Sequence, residues 1–259
     1  MKLSNITKLH YGYLIIRVLL FVSVFITYIF GANWLNGNVK IFCDSVVWLF
    51  FMFCMVKRLF PTKYESMGNQ KIFKKNFIPT KINSIKRDTK SALIVFIVWI
   101  FINMPFVVLY LIGYLSADFM KLLFLFFSVC DYICILFYCP FQRWMMRNKC
   151  CNTCRIYNWD YPMMFTPLIF VPNLYNYTLV LMSVIVLIIW EVNYYLHTER
   201  FCEETNENLK CKNCKEFMCK NKFFVTKLMA FFKTDRAILQ NKKAYSFVSR
   251  LFTENTLFI

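Results

Sequence analysis

The chain alternates between long apolar blocks and short basic segments, not between single apolar and polar positions. Residues 18–39, 92–117 and 161–190 carry no charged side chain, and two further blocks hold one acid each, 41–56 with Asp44 and 122–142 with Asp131. A helix crossing a hydrocarbon core needs about 20 predominantly apolar residues. Blocks of this length therefore predict membrane-spanning helices. The composition agrees, with 59% hydrophobic residues against roughly 45–50% in soluble domains. The mean hydropathy is +0.47. The predicted class is all-α, a polytopic helical membrane protein over residues 1–197 with a cysteine-rich tail over 198–259.

Charge sets the expected orientation. The net charge is +17, and residues 57–90 alone hold ten Lys/Arg, whereas the connections at 33–40 and 116–121 hold only Lys40 and Lys121. Positive loops stay on the cytoplasmic side. The N-terminus and the loops 57–90 and 143–160 are thus expected inside the inner (plasma) membrane. The first block is too long for a signal-peptide core and lacks a small-x-small site, so an uncleaved span is expected. Arg17, near its start, is expected to snorkel toward the headgroups.

The last block carries Pro162, Pro167 and Pro172 in its first half, followed by an uninterrupted stretch at 177–196. A short descent near 161–172, a turn at Pro172-Asn173 and a full return span would give six membrane segments, five of them full spans, with both termini inside. The alternative is five spans with the tail outside. The tail is basic, with twelve Lys/Arg against seven acids over 198–259. Its segment 223–252 mixes apolar clusters with Lys227, Lys233, Arg236, Lys242, Lys243 and Arg250. It reads as an amphipathic helix resting on anionic lipid. Nucleic-acid binding is not expected, because these charges sit beside membrane spans.

Twelve cysteines supply the candidate chemistry. Seven lie in polar segments, Cys150, Cys151 and Cys154 before the last apolar block and Cys202, Cys211, Cys214 and Cys219 after it. In a reducing compartment, close-set cysteines point to metal binding or redox work rather than a disulfide framework. The Cys-x-x-Cys steps at 151–154 and 211–214 are expected to meet and furnish four thiolates to structural zinc or to an iron–sulfur cluster. A metal-free dithiol pair is the third option. Lysines around Cys211, Cys214 and Cys219 are expected to lower thiol pKa values. Cys43 and Cys54 read as small buried hydrophobes, as do Cys130 and Cys134.

The run Tyr138-Cys139-Pro140-Phe141-Gln142, preceded by Cys134, resembles the Cys-x3-Cys-Pro element of polytopic membrane ferredoxin-like proteins. Here the spacing is Cys-x4-Cys and the Gly-Trp between the cysteines is missing. That resemblance implies cluster binding by Cys134 and Cys139. The stretch from Cys139 to Asp160, with Cys-Arg-Ile-Tyr-Asn-Trp-Asp at 154–160, is similar to uncharacterised bacterial multi-span membrane proteins. So is Trp190-Glu191 through His197-Thr-Glu-Arg200-Phe. The similarity implies no known activity.

Asp131 lies halfway along its block, where a charged acid costs about 2.5–3.5 kcal/mol on insertion scales. A hydrogen bond to Asn103, at similar depth, is one expectation. A proton or ion path through a small transporter is the other. Tyr194, Tyr195 and Trp190 read as an interfacial belt, with His197 a candidate extra ligand. Five glycines in the chain exclude a Gly-rich phosphate loop, and no His-Glu-x-x-His occurs. With thiols on the outer side, a membrane thiol oxidoreductase would be the remaining class.

Overall fold

The computed structural model describes residues 4–30, 37–81, 89–148, 150–214 and 216 of the chain, with backbone alone at 37–40. The segment 223–252 and Cys219 lie outside the described residues. The described residues all fall in one compact unit, within Met1–Phe217. They are helical, with no strand among them. The elements are α1 (Asn5–Phe30), α2 (Gly37–Arg58), α3 (Met67–Gln70), α4 (Thr89–Leu111), α5 (Ala117–Leu136), α6 (Asp160–Phe165) and α7 (Leu174–Leu196).

Four of these helices, α1, α4, α5 and α7, are long and apolar enough to cross a membrane, which marks a helical membrane protein. Their outward faces are apolar, with Ile15, Leu19, Phe101, Leu111 and Leu181 among the exposed side chains. A soluble protein would hide such residues, because exposing a large contiguous apolar area to water is unfavourable. The interior is aromatic: Phe51 of α2 meets Phe124 of α5 and Phe165 of α6 edge-on, at centroid distances of 5.1 and 5.6 Å.

Helices α1 and α5 form the most extensive pairing and run antiparallel. Tyr28 meets Phe119, Phe21 meets Phe126 and Tyr11 meets Phe137, at centroid distances of 6.3, 6.1 and 6.2 Å. The turn between α4 and α5 follows from its sequence. Gly113 adopts φ +92, a left-handed conformation that favours glycine, and Tyr114 N–H closes back onto Leu109 O at 2.9 Å. Ser116 then caps α5 by accepting from Phe119 N–H.

The proline-rich half of the last block forms a short descent. Helix α6 and a 3-10 turn over Thr166–Phe170 bury Tyr161, Met164, Phe165 and Leu168. The chain reverses after Pro172, and Asn173 caps α7 by accepting from Tyr175 N–H at 3.1 Å. Trp48 of α2 donates to the Thr178 hydroxyl at 2.8 Å and ties α7 to its neighbour.

Candidate functional site

One end of the bundle is closed by a polar cap built from three separated segments, residues 59–81, 146–160 and 197–214. The two stretches singled out by resemblance, 154–160 and 190–201, meet there. Arg155 grips Glu191 through both terminal nitrogens, and Trp159 Nε1 donates to the same carboxylate at 2.7 Å. Trp190 Nε1 returns a bond to Arg155 O at 2.8 Å, and Arg155 lies 3.6 Å over the Tyr194 ring. The tyrosine and tryptophan of the expected interfacial belt are therefore packing partners of the cap. His197 sits half-exposed beside Glu199, 3.3 Å away.

The basic loop contributes more than charge. Lys71 is fully buried, donates to the carbonyls of Asn152 and Cys154 at 2.8 Å each, and lies 5.1 Å from both the Trp190 and Phe201 rings. Burial pulls its pKa down to about 7, against the partial support of nearby thiols. Arg58 closes onto Asp160 and Asn158, and Asn158 donates to Asn69 Oδ1 at 2.8 Å. Arg200 donates to Ile72 O at 2.8 Å. Glu216 accepts from Ser66 and from Met67 N–H at the start of α3, which fixes the end of the described chain to the cap.

Under this cap lies a cavity of about 140 Å³. Its walls include five thiols: Cys130 and Cys134 of α5, Cys139 just beyond it, and Cys151 and Cys154 of the cap loop. Met163, Met164, Trp99 and Phe141 supply apolar wall, and the carboxylates of Asp131 and Asp160 also face it. The Cys151 thiol donates to Gln142 Oε1 at 3.0 Å. The 151–154 step is a tight turn, closed by Cys154 N–H onto Cys151 O at 2.9 Å. The Cys154 thiol is pushed up to about 12 by burial, with Cys151 beside it acting in the same direction. No disulfide joins the described cysteines.

Among the described residues the two Cys-x-x-Cys steps, expected to meet, do not converge on one metal position. Cys151 and Cys154 line the cavity, whereas Cys211 is exposed and has Cys150 and Cys214 as its thiol neighbours. Cys202 lies on another face of the cap, in a polar groove with Arg147, Thr153 and Lys210. Among the described residues no three His, Cys, Asp or Glu side chains are arranged to hold one metal ion. The Cys211 thiol is also raised, not lowered: burial dominates, and Glu203 adds to it. The neighbouring lysines are spent elsewhere, with Lys210 and Lys212 both paired to Glu207, at 2.6 and 2.5 Å. Cys134 and Cys139, by contrast, do share a site with Cys151 and Cys154.

Two expectations within the bundle are corrected. Arg17 does not snorkel: it is 1% exposed and forms an ion pair with Asp131 at 3.0 Å, also donating to Ser128 O at 2.8 Å. Asp131 is thus held by Arg17, while Asn103 donates to Trp99 O and its own Oδ1 has no partner among the described residues. No protein-family model, curated protein or solved structure matches this chain.

Proposed function

We propose that this is a six-segment membrane protein, inner-membrane with both termini cytoplasmic, that carries a sulfur-ligated electron-transfer centre in the cavity beneath its cap. In this reading α2 and the short α6 descent complete the six segments. The positive-inside rule puts the loop with Lys71 and Arg58, and hence the cap, on the cytoplasmic side. The basic segment 223–252 would rest on anionic lipid.

The observation that carries the reading is the gathering of Cys134, Cys139, Cys151 and Cys154 around one space of about 140 Å³. A tetrahedral zinc needs four donors at about 2.3 Å from a single point. An iron–sulfur cluster has several iron atoms, so its thiolates stand apart around a central volume. Thiols on the walls of a cavity, without three converging on one point, fit the cluster better than the zinc. The apolar lining would exclude water, and Lys71 beside Cys154 would offset the negative charge of thiolates.

Anaerobic purification of the full chain, with iron, zinc and acid-labile sulfide analysis and an absorption spectrum, tests the proposal. Iron, sulfide and a reducible visible band are expected, lost in Cys139→Ser and Cys154→Ser and retained in Cys211→Ser. Zinc lost with Cys211→Ser would restore the paired Cys-x-x-Cys arrangement instead. Metal-free protein would sink both and leave the thiol-oxidoreductase reading.

A further inference from the structure

We infer that the Arg17–Asp131 pair is the gate of a proton path linking a cavity at the far end of the bundle to the thiol-lined cavity under the cap. The path ends in the cavity whose thiols would hold the sulfur-ligated centre, but it rests on the ion pair and not on those thiols. A second cavity, of about 380 Å³, opens between α1, α2 and α5 at the end remote from the cap. Ser23 and Thr27 line it on α1, and Asp44, Asp118 and Lys121 supply charge, with Asp44 and Lys121 paired at 2.6 Å. Its deepest α1 residue, Leu20, is one turn from Arg17. Asp131, the partner of Arg17, lies in the wall of the other cavity, together with Asp160. The ion pair therefore stands between two cavities, with Asp131 in the wall of one and Arg17 a single turn beyond the lining of the other.

Two physical arguments give the pair a role. Replacing a buried ion pair by apolar residues is often neutral or stabilising, so this pair is weak evidence of a purely stabilising device. Ionisable side chains at membrane depth are by default functional. Arg17 is also anchored independently of Asp131. Ser128 O accepts from it, and the rings of Tyr132 and Phe51 lie 4.2 and 5.3 Å from its guanidinium carbon. Protonating Asp131 would release the carboxyl from the pair and leave the guanidinium in place.

The permeant species follows from the packing. The buried rings of Phe51 and Tyr132 pack against Arg17, so a hydrated metal ion has no ready opening there. A proton needs only to cross the one turn of α1 between Leu20, in the far cavity's wall, and Arg17 to reach Asp131 in the wall of the other. Other titratable groups face Asp131. Cys130 and Tyr132 adjoin it on α5, Cys139 follows that helix, and Asp160 comes from α6. Arg58 approaches from α2 and Arg17 from α1. Asp160, itself held by Arg58, is the natural next acceptor on the cap side.

Purified full-length protein in liposomes carrying an internal pH dye, driven by a valinomycin-imposed potassium potential, tests the inference. Dye response should be at least tenfold faster than in empty liposomes, and Asp131→Asn should bring it to the empty-liposome rate. The double variant Arg17→Met/Asp131→Leu, which leaves no unpaired charge, should fold and be equally silent. Asp44→Asn should slow entry several-fold. A wild-type rate equal to that of empty liposomes, or normal conduction by the double variant, would overturn the path. Metal content and absorption, read on the same samples, show separately whether the sulfur-ligated centre exists, so the two readings fail independently.

Discussion

Arg58 and Asp160 lie parallel at the capped end of the bundle, Nη1 on Oδ1 at 2.6 Å and Nη2 on Oδ2 at 2.5 Å. Both side chains are almost fully buried, and the arginine also stacks 4.2 Å over Tyr161. The pair locks the last turn of α2 to the first turn of α6, so it joins the membrane bundle to the cap loop. Removing one member leaves the other charge buried and unpaired, which typically costs about 3–5 kcal/mol. Asp160→Ala should therefore lower the thermal midpoint in detergent sharply. Arg58→Met/Asp160→Leu should recover much of the loss. If the single variant melts like wild type, the pair is not the hinge of the cap.

The apolar blocks were legible because a membrane helix writes its requirement locally, one residue after another. The turn at Pro172-Asn173 was legible for the same reason, since it acts through its own backbone. What the sequence did not display was pairing. Arg17 looked like a headgroup anchor because its partner, Asp131, lies 114 residues away on another helix. Lys71 looked like one more cytoplasmic charge, since the carbonyls that hold it belong to Asn152 and Cys154. Each Cys-x-x-Cys step forms a tight turn, yet spacing within a turn carries no information on which turn it meets. The site's thiols from α5 could have been found by weighing Cys134 and Cys139 with Cys151 and Cys154 as one set.

Gly68 faces the Tyr157 ring so closely that an added Cβ would lie 2.5 Å from the ring edge. Tyr157 is itself held within the cap, so neither partner can withdraw cheaply. Overpacking of this kind costs about 1–3 kcal/mol. Gly68→Ala should therefore destabilise the protein. Gly12→Ala, with open space around the new carbon inside α1, should leave stability unchanged or slightly improved. Thermal melts of the two variants side by side test the contact. Equal melting would mean that α3 and Tyr157 are not packed as described.

Thiol reactivity should rank the cysteines by their surroundings. The thiolate is the reactive form, so a buried thiol with a raised pKa reacts slowly. Cys154, buried and pushed up to about 12, should be among the last labelled by a maleimide at neutral pH. Cys211, exposed on the cap, should be labelled far earlier, though more slowly than an ordinary surface thiol because its own pKa is also raised. Peptide mass spectrometry after timed labelling gives the order. Early labelling of Cys154 in folded protein would mean that its thiol is not buried as described.

Lys71 should make the stability of the cap depend on pH. Its pKa falls from an ordinary value of 10.5 to about 7 in the folded chain, mainly through burial. Between those values the unfolded chain holds a proton on this amine that the folded chain has lost, so the stability gained from Lys71 rises with pH across this window. Below about pH 7 both states are protonated and the dependence ends. One proton corresponds to at most about 1.4 kcal/mol per pH unit. Cysteines titrate in the same range, so the measurement is a comparison: wild type and Lys71→Met melted at pH 7.5, 8.5 and 9.5. The variant loses the bonds to Asn152 O and Cys154 O and should be less stable throughout. The gap between the two proteins should widen as pH rises. A gap that stays constant or narrows would mean that Lys71 keeps its charge in the folded cap, held by those two carbonyls and the rings of Trp190 and Phe201.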